Sequence, residues 1–240
     1  MKNLVVFLTH NCKKLFVKTV NSLDVKQCDV LILIDDSQYK SDLDDFSDIN
    51  SCVMLETVSK NQRMSYDILG GHTMYINYFR KNMYLLSKYD YIYVFENDVY
   101  YHGKLQSFIN AHSDVSYHAD LLVPEFGLRD KNWMWFNRRF VFKPSTVPKN
   151  IGCKAYALRF STEFLRWFLN QLGDQFNGYV EAILPRVCAD YHWKLNRFID
   201  THIGVTAIST DNKLIKAVTK DLLNNTNHVL ENKLYHPIKL

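Results

Sequence analysis

Three unbroken apolar runs divide the first hundred residues, and each stops at a polar cluster. Leu4–Leu8 ends at Thr9-His10-Asn11, Asp29–Ile34 ends at Asp35-Asp36-Ser37, and Tyr91–Phe95 ends at Glu96-Asn97-Asp98. Runs this short and this rich in β-branched and aromatic residues predict strands buried on both faces. Helical spacing of apolar positions fills the intervals, around Lys14–Leu23, from Thr73 to Ser87 after the Gly70-Gly71 pair, and over Lys104–His112. Strand alternating with helix predicts βαβ units and a mostly parallel sheet. Further strands are expected at Cys52–Leu55, Ala119–Val123, Ala155–Leu158 and Val205–Ile208. A helix over Thr162–Leu172 has Ser161 as its N-cap. A second, Gly178–Ala189, contains Pro185, which is expected to kink or interrupt it. The Trp-rich stretch 133–142 follows no clear period.

Composition narrows the class. The chain has 240 residues, 47% hydrophobic and 22% charged, as expected of a globular protein with a sizeable core. No linker, repeat or low-complexity tract divides it, so one domain over 1–240 is expected. No stretch approaches the length of a membrane span. The N-terminal Met1–Leu8 reads as a first strand rather than a cleavable signal. Five cysteines (Cys12, Cys28, Cys52, Cys153, Cys188), an odd number without zinc spacing, read as reduced thiols. A cytoplasmic protein with at most peripheral membrane contact is the expectation.

The net charge of +4 is mild, and no block of consecutive like charges suggests a nucleic-acid arm. Basic residues gather between Arg129 and Arg166, including Arg138, Arg139, Lys154 and Arg159. They form either a solvated face or an attractive field for a phosphorylated ligand or anionic membrane.

The strand ends carry the candidate chemistry. Parallel strands present their carboxyl ends to one edge, where α/β sheets bind ligands. Thr9, His10, Asp35, Asp36, Glu96 and Asp98 are thereby expected in one crevice. Any single cluster can be a simple turn, and Asn11 can equally cap a helix. Glu96 and Asp98 cannot continue into the core, because an unpaired buried charge is too costly. Two hard oxygen ligands at such an edge suit a hard cation and phosphates.

The order of a first strand, a strand ending in Asp35, and a strand ending in carboxylate-x-Asp resembles the nucleotide-sugar glycosyltransferases of the GT-A fold. Their DxD or ExD motif is matched by Glu96-Asn97-Asp98. The closing Tyr235-His236-Pro237-Ile238-Lys239 resembles a His-Pro-x-Lys ending of some polysaccharide and capsule-type members. The resemblance runs in order from about residue 4 to 239. It implies an α/β, Rossmann-like three-layer sandwich with a mostly parallel central sheet. A nucleotide-binding half would span about 1–103 and an acceptor-binding half about 104–240.

It further implies a metal-dependent transfer of sugar from a UDP- or GDP-sugar to a glycan or lipid-linked acceptor. Asp98, Glu96 and His236 would hold Mn²⁺ or Mg²⁺, the imidazole tilting the choice toward Mn²⁺. Asp35 and Asp36 would meet the base or ribose, Thr9 and His10 would line the nucleotide pocket beside Asn97, and Lys239 would bind a phosphate oxygen. An inverting member needs a carboxylate base. Glu181, an isolated acid among apolar neighbours, is the first candidate and Glu125 the second. Trp133-Met134-Trp135 either stacks on a sugar or packs in the core. Arg138, Arg139 and Arg159 are candidate diphosphate or acceptor contacts. Two alternatives stay open: a nucleotidyltransferase of related fold, against which the glycine-free segment Thr9–Lys14 counts, and a non-catalytic nucleotide- or glycan-binding module.

Overall fold

The apolar runs form the middle of one sheet. In the computed structural model, residues 1–9, 14–35, 46–49, 53–58, 72–113, 118–129, 141–142, 148, 150–172, 176–177, 179–199, 203–206, 220, 222 and 233–237 are described. The elements in chain order are β1 (Asn3–Thr9), α1 (Lys14–Asn21), β2 (Cys28–Asp35), β3 (Met54–Val58), α2 (His72–Lys81), α3 (Met83–Leu86), β4 (Tyr91–Glu96), β5 (Tyr100–His102), α4 (Leu105–Ser113), β6 (Leu121–Val123) and β7 (Glu125–Leu128). There follow β8 (Val141–Phe142), β9 (Ile151–Lys154), β10 (Ala157–Ser161), α5 (Thr162–Gln171), β11 (Phe176–Asn177), α6 (Val180–Asp190), β12 (Leu195–Arg197), β13 (Ile203–Thr206) and β14 (Lys233–His236).

Seven strands make the central sheet in the order β3-β2-β1-β4-β10-β6-β12. Every neighbouring pair is parallel except the two that β10 makes, with β4 and with β6. The period of two splits each run between the faces. Leu4, Val6, Leu8, Leu31, Leu33, Ile92 and Val94 pack with α2, α5 and α6. Val5, Phe7, Val30, Ile32, Ile34, Tyr93 and Phe95 pack with α1 and α4 on the other side. Helices on both faces of a mostly parallel sheet make the expected three-layer α/β architecture.

Several boundaries differ from the sequence expectations. The helical pattern over Thr73–Ser87 is two helices, broken at Asn82, whose φ and ψ are −123° and 41°. The Asn82 amide donates to the Tyr78 carbonyl at 3.0 Å, a local bond that competes with the helical ladder. The strand expected at Ala155–Leu158 is instead β9 and β10 with Ala155-Tyr156 between them, because one segment pairs with β7 and the next with β4. Pro185 does not interrupt α6, which runs through it. It removes only the N–H that residue 185 would give the Glu181 carbonyl. Strand β3 begins two residues later than Cys52. Arg159 is fully buried in β10. It donates to the carbonyls of His112 and Ala119 and lies 4.2 Å from the Tyr91 ring centroid. It is therefore a core residue and not a diphosphate contact.

Ser161 caps α5 as the sequence predicts, accepting the Phe164 N–H at 3.2 Å. Ser161→Ala should lower stability by about 1 kcal/mol, read from the urea midpoint; an unchanged midpoint contradicts the cap.

Candidate metal centre at the carboxyl edge

The registers Thr9↔Ile34 and Leu8↔Glu96 bring the carboxyl ends of β1, β2 and β4 to one edge. Thr9 and Asp35 are buried there, each 2% exposed. His10, Asp36 and Lys239 lie outside the described residues, as do Arg138, Arg139 and the pair Trp133 and Trp135.

At the end of β4 the chain turns sharply. The Val99 N–H donates to the Glu96 carbonyl at 3.1 Å, with Asn97 and Asp98 at the half-buried bend. The turn sends the chain into β5, which pairs antiparallel with β14 through Tyr101↔Leu234 and Tyr100↔Tyr235. Continued by one residue, that register carries His236 alongside Val99 and next to Asp98. The returning strand is anchored by burial: Tyr235 packs with Leu15, Tyr100 and Leu222, and Leu234 joins the core under α1 and α4.

Glu96 and Asp98, near the middle of the chain, and His236, near its end, thus converge. One ligand atom from each lies within 4.8 Å of the others. His236 Nε2 stands 3.3 Å from Asp98 Oδ1 and 3.6 Å from Glu96 Oε2. Each side chain is partly sheltered, with 21–29% of its surface exposed. The ion-pair contact at Asp98 Oδ1 is not an aligned hydrogen bond, and this buried oxygen accepts none among the described residues. Two carboxylates and an imidazole around such an oxygen fit a divalent cation, with the nitrogen favouring Mn²⁺ over Mg²⁺.

Burial alone would lower the His236 pKa. The Asp98 and Glu96 carboxylates, in close contact with the imidazole, outweigh it and raise the pKa to about 9. The metal-free site therefore recruits a proton where a cation would sit, and metal must displace it.

The two candidate bases sit on β7 and α6, both of which contact β9. Glu125 opens β7, which pairs with β9 through Glu125↔Lys154 and Phe126↔Cys153. Its carboxylate meets Arg129 at 2.5 Å and Lys154 at 2.8 Å. Partial burial pushes its pKa up, but these two cations overcome that and hold it below the usual carboxylate range. Glu181 lies in the first turn of α6, half-buried. Burial raises the Cys153 thiol pKa well above normal, and Glu181 is the next largest cause, so Glu181 acts electrostatically on β9. The Tyr75 phenol on α2 is raised by burial, then by Cys153, then by Glu96. It therefore stands within electrostatic reach of both the acid turn and the Cys153 neighbourhood. Sequence reasoning did not find Tyr75, Tyr156, or the pairing of Arg129 and Lys154 with Glu125. Arg129 and Lys154 showed only as members of the basic stretch.

The described cysteines Cys28, Cys153 and Cys188 are free and buried, in line with reduced thiols. Among the described residues no helix is long and apolar enough to cross a membrane.

No family model and no curated protein matches the sequence. Mouse xyloside xylosyltransferase 1, in its apo form, superposes with a TM-score of 0.51 over 98% of this chain and 97% of its own, at 10% identity. The fold is GT-A-like. A CMP:2-keto-3-deoxy-manno-octonic acid synthetase complexed with CTP aligns over 94% of this chain and 99% of its own. At 9% identity and a TM-score of 0.46, it adds no weight to the assignment. At such identities the likeness is one of fold alone.

In the metal-free protein, His236 has a folded pKa of about 9 against an ordinary 6.5. The proton it gains stabilises the fold fully below about pH 6.5, and that contribution is lost as pH rises through about 9. In EDTA, the urea midpoint of wild type relative to His236→Gln should fall across this window. A pH-independent difference would contradict the ion-pair account.

Proposed function

We propose that the chain is a metal-dependent glycosyltransferase that moves a sugar from a UDP- or GDP-sugar donor to a glycan or lipid-linked acceptor. The observation that carries this reading is the convergence of Glu96, Asp98 and His236 at the carboxyl edge of a GT-A-like sheet, around a buried Asp98 oxygen that accepts no hydrogen bond. The xylosyltransferase named above, which shares the fold, adds support.

In this reading Glu96, Asp98 and His236 hold Mn²⁺ or Mg²⁺. When bound, the cation offsets negative charge on a diphosphate leaving group. Asp35 accepts a hydrogen bond from a ribose hydroxyl or the base, with Asp36, Thr9, His10 and Asn97 lining the same pocket, and Lys239 meets a phosphate oxygen as a point charge. Glu181 takes the proton from the acceptor hydroxyl. Glu125, already neutralised by Arg129 and Lys154, is the weaker base and holds the β7–β9 ribbon in register.

The direct test is turnover of UDP-, GDP- and CMP-sugars by the EDTA-treated protein, with and without added Mn²⁺. Turnover of at least one donor, only with metal, is expected; no binding and no turnover of any donor refutes the reading. Asp98→Ala should reduce metal-dependent turnover by about 100-fold or more with the circular dichroism spectrum unchanged. Wild-type rates in that variant remove Asp98 from the metal site.

Glu181→Gln should leave donor affinity nearly unchanged and slow transfer by roughly 10²- to 10⁴-fold. If Glu125→Gln behaves this way and Glu181→Gln does not, the base is Glu125.

A further inference from the structure

The three groups of the metal centre reach it on two segments, the turn after β4 and the end of β14, and one residue outside the triad touches both. We propose that Tyr156 is the positioning residue of this centre, fixing the plane of the His236 imidazole in which Nε2 faces the two carboxylates. The proposal rests on the reading that Glu96, Asp98 and His236 hold a cation.

Tyr156 occupies the short link between β9 and β10 and is 4% exposed. Its carbonyl accepts the Glu96 N–H at 3.0 Å, so its backbone is tied to the first carboxylate. Its ring lies face to face on His236, with centroids 4.1 Å apart and planes 8° from parallel. Strand pairing fixes the His236 backbone but not its ring, because the terminal torsion of histidine is broad and roughly two-fold. A buried aromatic face removes that freedom: the ring cannot turn about its Cβ–Cγ bond without driving an edge into Tyr156. Two flips share the plane that remains, and the one in place sets Nε2 3.3 Å from Asp98 Oδ1 and 3.6 Å from Glu96 Oε2, where the carboxylates favour the nitrogen over a ring carbon. The electron-rich face of Tyr156 also favours an imidazole polarised by a cation. Through its carbonyl and its ring, Tyr156 holds the two ends of the ligand set, which come from residues 96 and 236, in one frame.

The test separates a positioning role from general packing by using conservative rescue. Mn²⁺ binding is measured by titration calorimetry on wild type, Tyr156→Phe and Tyr156→Leu, with the urea midpoint of each as a stability readout. Phenylalanine keeps the stacked face and should bind Mn²⁺ within about twofold of wild type, whereas leucine should bind about 10- to 100-fold more weakly. Leucine binding as tightly as wild type, or phenylalanine as weakly as leucine, overturns the proposal. Wild type that binds no Mn²⁺ defeats the metal reading itself and the proposal with it, an outcome distinct from the first. Independently of any variant's folding, the Hδ2 and Hε1 protons of wild-type His236 should show upfield ring-current shifts in NMR spectra of the metal-free protein. Random-coil positions for both protons overturn the stacking on which the proposal stands.

Discussion

Charge cannot follow the apolar run of β4 into the sheet, and the site exists because of that constraint. Ile92, Val94, Tyr93 and Phe95 face two different cores, so neither side of the strand has water to offer a carboxylate. Each large side chain buried there is worth roughly 1.5–3 kcal/mol. Shifting the strand by one residue would exchange its two faces and draw Glu96 toward the interior. Parallel pairing with β1, itself paired with β2, then makes the polar ends of all three strands coincide. The acidic edge is thus a consequence of packing as much as of chemistry.

Two carboxylates alone make a poor specification for a metal, and the rest comes from the far end of the chain. Strand β14 returns to β5 because Leu234 and Tyr235 bury themselves on that side, and the antiparallel register sets His236 beside Asp98. Tyr156 then stacks face to face on the imidazole. The raised pKa of His236 expresses the same arrangement electrostatically, since two acids held this close draw a positive charge to the place between them. Nearby, Glu125 between Arg129 and Lys154 shows the opposite solution, a carboxylate whose charge is satisfied within the protein.

What could be read from the sequence was what local pattern determines. Runs of apolar residues gave β1, β2 and β4 nearly to the residue, and the polar stops after them marked the edge where ligand groups gather. Ser161 announced a cap because a side-chain hydroxyl before an amphipathic segment has a local partner. The His236 ending was visible as a motif, and its convergence with Glu96 and Asp98 is seen in the fold. Other features depend on distant partners and left no local trace. Nothing in Ala155-Tyr156-Ala157 distinguishes a ring that stacks on a histidine from one that fills a core. Arg159 looked like a surface cation, yet it is satisfied by backbone carbonyls at the end of α4 and near β6. Glu125 stood as the second candidate base, and only the β7–β9 pairing shows the two cations set against it. The break at Asn82 was hidden because apolar spacing continues across it.

The central claim is that Glu96, Asp98 and His236 bind one divalent cation together. It is tested most directly by the anomalous diffraction of crystals soaked with Mn²⁺ and UDP. The account predicts a single manganese peak in direct coordination with Asp98 and His236 Nε2, with Glu96 bound directly or through water. Manganese bound elsewhere, or no peak with His236 still resting on the two carboxylates, would contradict it.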